Sequence, residues 1–168
     1  AIIRARLQSA EGKHTEAQAT IQATRTLQAL RPSGSWGDQD LAAYEARFSV
    51  RQGNWATAGQ LLKESETEET HALSELVRAE LLLARGQLED AETLLTQFVA
   101  QYAAGFPNEP SLDARVMLAQ ALFAQFKMNQ ARRVLAEAVQ LAAPESFIRP
   151  FLDHGRGLEL PRQQSAGA

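Results

Sequence analysis

Arg6, Arg47, Glu80 and Gln120 recur at one place in the sequence. Each stands six residues before a turn anchor: Gly12, Gly53, Gly86 and Phe126. Two guanidiniums, a carboxylate and a carboxamide can grip a small polar ligand or a peptide through charge-assisted hydrogen bonds. The same residue types also suit a face that is simply wet. Three residues before the anchors stand Ser9, Val50, Leu83 and Phe123, so the neighbouring level grades from polar to apolar. If Arg47 contacts a ligand, Arg47→Ala should weaken binding and leave helicity unchanged.

No catalytic constellation accompanies this row. Gly12-Lys13 is followed by His14, and Leu7 stands where a phosphate loop needs its first glycine. His14, His71 and His154 are far apart and fall in no metal-ligand spacing, so they read as turn or surface residues. Cysteine is absent, which removes thiolate chemistry and disulfides. The acidic run Glu64-Ser65-Glu66-Thr67-Glu68-Glu69 and the basic pair Arg132-Arg133 read as solvated helix ends and faces. The expectation is a non-enzyme with no catalytic residue, no metal and no cofactor.

The elements that must hold the row follow from an internal repeat. Gly12 to Ala17, Gly53 to Ala58 and Gly86 to Ala91 share one order: Gly, a large residue two on, Ala five on. Phe126 to Ala131 repeats it with Phe in place of Gly. Seven residues before the anchors stand Ala5, Ala46, Ala79 and Ala119; nine after stand Ile21, Leu62, Leu95 and Leu135. This is the pattern of stacked helix hairpins. Gly ends one helix in a left-handed cap. The large residue (His14, Trp55, Leu88, Met128) fills the corner, and the alanines let helices approach closely. Trp55 is expected to pack. Trp36, in the turn-rich stretch Arg31–Gly37, could fold back or stand exposed. A second turn-rich stretch covers Gly105–Glu109.

The helices are expected at about 1–11 and 14–30, 38–52 and 54–66, 69–85 and 87–104, and 111–125 and 128–142, with Asp38 or Asp40 and Ser111 as N-caps. The fold class is all-α: a right-handed tetratricopeptide-like solenoid of about four repeats plus a C-terminal capping segment. Phe147, Ile148, Phe151 and Leu152 are candidates to cover the last pair, with Pro150 in a first turn. The repeat domain is expected over 1–155 and a flexible tail over 156–168.

Composition agrees with helix. The 168 residues hold 30 Ala and 22 Leu against 6 Val and 4 Ile, and β-branched residues are what strands use. A net charge of −3 argues against a large nucleic-acid footprint. No apolar run reaches the roughly 20 residues of a membrane helix. A cytoplasmic location is the default expectation. The chain opens on Ala1 directly into helix-like text and reads as a piece of a longer protein.

The repeat resembles tetratricopeptide repeats as a class. The stretches Arg78 to Ala91 and Gln130 to Glu145, then Phe147-Ile148-Arg149-Pro150-Phe151-Leu152-Asp153-His154-Gly155, resemble the large ATP-binding LuxR-type transcriptional regulators. In that family the closing phrase is approximately A-x-P-E-G-Y-V-R-x-F-L-D-E-G; here Ser146 replaces the Gly, Phe147 the Tyr and His154 the Glu. The resemblance implies a sensor segment between an ATPase switch and a DNA-binding helix-turn-helix, neither of which lies in this sequence. It implies a small-molecule inducer or a protein or peptide partner, possible self-association, and no direct nucleic-acid or membrane contact by this segment. The alternative is a generic scaffold that binds a peptide or partner helix outside transcription. The peptide-carboxylate clamp of some tetratricopeptide domains wants Asn and Lys where this chain has Arg6, Arg47, Glu80 and Gln120.

Overall fold

The computed structural model describes residues 1–29, 36–66, 71–102, 109–144 and 146–154, with backbone alone for 28–29 and 36–39. Those residues form α1 (Ile2–Ala10), α2 (His14–Ala29), α3 (Trp36–Arg51), α4 (Trp55–Glu64), α5 (Ala72–Ala84), α6 (Leu88–Tyr102), α7 (Glu109–Ala124), α8 (Met128–Ala142) and a short α9 (Arg149–His154). The first eight make four antiparallel hairpins. Each first helix packs on its own partner and on the first helix of the next hairpin: α1 on α3, α3 on α5, α5 on α7. Each second helix also touches the first helix of the following hairpin. This is lengthwise stacking.

The core is divided accordingly. Ala5, Ala17, Ile21, Leu41 and Phe48 fill the seam between the first two hairpins. Ala46, Ala58, Leu62, Val77 and Leu81 fill the next. Leu76, Leu95, Phe98, Met117 and Leu122 belong to the largest cluster, between the third and fourth hairpins. A closed bundle would show one central cluster; three clusters in sequence order mark a solenoid. The alanines set the spacing. Ala5, Ala46, Ala79 and Ala119 are fully buried, as are Ala17, Ala58 and Ala91, and Ala131 nearly so. A larger side chain there would force the helices apart.

The turns explain the glycines. Gly12, Gly53 and Gly86 have φ of 79°, 78° and 73°. In each turn the following N–H reaches back to a carbonyl five residues earlier: Lys13 to Gln8 (2.8 Å), Asn54 to Ser49 (2.8 Å) and Gln87 to Leu82 (2.9 Å). This cap satisfies carbonyls the helix leaves open. The fourth turn is built the same way, with Lys127 N–H on Leu122 at 2.9 Å, so Phe126 must adopt φ 61°. Ser146, where the resembling family carries Gly, stands at φ 55° after α8.

Several boundaries differ from the sequence expectation. α3 starts at Trp36, inside the stretch read as an insertion. Asp40 therefore lies within the helix, its carboxylate 3.4 Å from His71 Nε2. The side chains of Trp36 and Asp38 lie outside the described residues. α7 starts at Glu109 with Pro110 in its first turn, where a missing N–H is harmless. Ser111 is thus a buried helical residue rather than a cap. Trp55 is 42% exposed, whereas His14, Leu88 and Met128 at the same place in their turns are half-buried. Its carbonyl accepts from Arg85 Nη2 at 3.0 Å. The expected tail, and the domain end at 155, fall outside the described residues.

The C-terminal segment caps the stack from the side. α9 packs along α7. Pro150 and His154 are buried and Phe147 and Phe151 half-buried, whereas Ile148 and Leu152 stay exposed. Covered on this extra side, α7 is buried without a break from Ser111 to Ala119. That burial all round explains why α7 has no broad solvent-facing polar stripe.

Candidate functional site: a charged concave face closed by the last helix

α1, α3, α5 and α7 lie side by side and bring the row of polar residues onto one face. Arg47 of α3 is the centre. Its Nε donates to Glu80 Oε1 of α5 at 2.6 Å, and its Nη2 stands 3.4 Å from Asp113 Oδ2 of α7. All three side chains are about nine-tenths buried. Burial by itself pulls the Arg47 guanidinium down, but Glu80 and Asp113 outweigh it and raise it above the ordinary arginine range. Burial pushes the Asp113 carboxyl up; His154 and Arg47 outweigh that and hold it below the ordinary carboxylate value.

α9 completes the cluster. His154 Nε2 lies 3.5 Å from Asp113 Oδ1 and 4.0 Å from Glu80 Oε1, at ion-pair distance. Gln120 of α7 donates its amide to the His154 backbone carbonyl. Asp153 accepts from Arg149 Nε at 2.9 Å and stands 3.8 Å from Arg51 Nη2 of α3. Arg6 of α1 pairs with Glu109 of α7, joining the first hairpin to the fourth.

Each of the four expected residues thus lies on this face, but in a different state from an open row. Arg47 and Glu80 are buried and bonded to each other; Gln120 holds the last helix; Arg6 spans to Glu109. Asp113, Glu109, Arg51, Asp153 and His154 were not in the expected set. A signal existed for two of them. Glu109, Asp113 and Gln120 share one face of α7, at i, i+4 and i+11. His154 was read as a turn or surface residue, yet it is 9% exposed, because a helix too short for a periodicity signal folds into the concave side. What this arrangement can do chemically is hold charges against one another and tie α9 to α3 and α7. Among the described residues no His, Asp and Glu cluster is arranged to hold a metal ion, and no helix is long and apolar enough to cross a membrane.

Comparison with known proteins agrees with the architecture. Among solved structures, the chain is similar to the nearly identical TPR-like repeats of a protein described as a kinesin light chain of Podosopora anserina. The TM-score is 0.58 at 23% identity, covering 84% of this chain and 73% of that one. At that identity the likeness shows the fold. No curated protein matches. The model of the MalT-like TPR region matches residues 1–160, nearly the full length. Because that match covers every described helix, from α1 through α9, the chain belongs to the family of the MalT-like TPR region.

Proposed function

We propose that this chain is the non-catalytic sensor and interaction segment of a bacterial LuxR-type transcriptional regulator, similar to the maltose-regulon activator and acting in the cytoplasm. An inducer or a protein partner engages the concave face, with Arg6, Arg47, Glu80 and Gln120 as groups that respond to it. The observation that carries this reading is the contact between face and last helix. Gln120, Asp113 and Glu80 all meet His154 of α9, which gives an occupant of the face a direct route to α9. The mechanism is linkage. A ligand that prefers one arrangement of the hairpins shifts the ATPase switch and the DNA-binding domain by its difference in affinity and no more. Self-association follows if the shifted arrangement exposes a surface between copies.

Two measurements test it. The coding sequence beyond Ala168 should contain a helix-turn-helix; a stop codon there overturns the regulator reading. A thermal-shift screen of the longer parent protein against oligosaccharides, nucleotides and short peptides should find a ligand whose effect is lost when Gln120 is changed to Ala. A second reading is a scaffold for a peptide or partner helix, supported by the fold shared with the kinesin light chain repeats. A peptide that binds with no response at α9 would favour it.

A further inference from the structure

Ile3 and Leu7 stand one turn apart on α1, 74% and 54% exposed. They lie nine and five residues before the anchor Gly12. The same two places in the later hairpins are covered. Five before the anchor stand Phe48, Leu81 and Ala121, all buried. Nine before stand Val77 and Met117, fully buried, and Tyr44, half-buried against the first seam. The preceding hairpin covers them, and in each seam it presents the same three places. Phe48 clusters with Ala5, Ala17 and Ile21; Leu81 with Ala46, Ala58 and Leu62; Met117 with Ala79, Ala91 and Leu95. These receiving residues stand seven before, five after and nine after their own anchors. α1 therefore carries the inserting half of a seam that the described residues build three times, and no described residue supplies its receiving half.

We propose that the Ile3–Leu7 face of α1 is a docking surface for one more helix hairpin of the same polypeptide, set directly before residue 1. The seams dictate the chemistry of that occupant. It has small residues seven before and five after its turn and an aliphatic residue nine after. Its turn lies 33 to 41 residues before Gly12, the range of the anchor spacings in this chain. A second copy is a poorer occupant. Ala119 and Ala131 of its fourth hairpin are already buried, and α9 lies along α7. The end unit of a repeat array carries a polar outer face. Ile3 and Leu7 give α1 the outer face of an interior unit instead. The inference is independent of what the array binds, and holds for a sensor and a scaffold alike.

The coding sequence upstream of Ala1 should encode the stated pattern. Amide exchange then compares the 168-residue chain with the parent chain begun about 40 residues earlier. α1 should exchange about tenfold more slowly in the longer chain. Ile3→Ser and Leu7→Ser together should abolish that gain. In the 168-residue chain the same double change should leave the melting temperature within about 1 °C, because both side chains are exposed there. This control separates a lost seam from a lost fold, and a larger drop would mean the face is already packed and overturn the proposal. Equal exchange of α1 in the two chains, slowing that survives the double change, or an upstream sequence without the pattern also overturns it. So does a dimer of the 168-residue chain that persists in the longer chain and dissociates on the double change, since the face then belongs to a second copy. The ligand screen of the parent protein tests the sensor reading separately, so either can fail alone.

Discussion

Arg47 Nε donates to Glu80 Oε1 across 2.6 Å, tying α3 to α5 at equal height in successive hairpins. The pair is almost fully buried, with Asp113 beside it. Removing one partner of a buried ion pair costs about 3–5 kcal/mol, because the other charge is left without compensation. Arg47→Ala should therefore lower the urea midpoint by an amount equivalent to that loss. The change is a probe of stability before it is a probe of ligand binding, contrary to what an exposed Arg47 would allow. An unchanged midpoint would mean the Arg47–Glu80 contact contributes nothing.

Asp113 makes folding sensitive to acid. Its folded-state pKa lies below the ordinary 3.8, because His154 and Arg47 outweigh the cost of burial. A group held low in this way stabilises the fold above its unfolded value, and the contribution disappears as pH falls through the lowered one. Glu45 works in the opposite sense: burial raises its carboxyl, against the pull of Arg25, so protonation on acidification relieves a penalty. Asp113→Asn should be less stable than wild type at pH 7, and the gap should narrow as pH falls through the lowered value. Denaturant melts across pH 2–7 decide this, and a constant gap over that range would contradict it.

Phe126 occupies a turn built for glycine, at φ 61° and 83% exposed. A non-glycine residue in this region carries a penalty of roughly 1–2 kcal/mol, partly offset because Gly loses more backbone freedom on folding. Phe126→Gly should raise stability by about 0.5–1 kcal/mol. Gly86→Ala is the mirror experiment. A Cβ at Gly86 would meet nothing within 4 Å, so any loss reports the backbone angle and not crowding. It should cost about 1 kcal/mol. Thermal melts of both variants should move in opposite directions.

Ala79 tests the spacing of the stack. It is fully buried against the largest core cluster, beside Ala91 and Leu95. Ala79→Leu adds three carbons where helices meet and should cost about 1–3 kcal/mol. A melting temperature equal to wild type would show that the seam has room the packing does not suggest.

The hairpins were legible because their signals are local. A left-handed turn calls for Gly, and a close helix crossing calls for Ala, so Gly12, Gly53, Gly86 and the alanines around them mark both features in the sequence itself. One corner residue departs from its reading. Trp55 looks apolar enough to pack but is more exposed than its counterparts His14, Leu88 and Met128, a difference that hydrophobicity alone does not predict. The period sets the polar row at one height on the first helices of successive hairpins. It does not give the partners, since Asp113 lies 66 residues from Arg47 and a period cannot say which carboxylate crosses the face to meet which guanidinium. Nor did α9 announce that Pro150 and His154 would be buried, because six residues carry too few turns to show a stripe.

The pairing of Arg6 with Glu109 closes a circuit in what is otherwise a linear array. Plain repeat arrays can fray from either end, since each unit touches only its neighbours. Here Arg6 to Glu109 and Arg47 to Asp113 both skip at least one hairpin. Peeling off the fourth hairpin thus breaks ion pairs to the first and second hairpins as well as its contacts with the third. The ends of the array are therefore linked through its middle, and the first and second hairpins each lose a charge partner when the fourth departs.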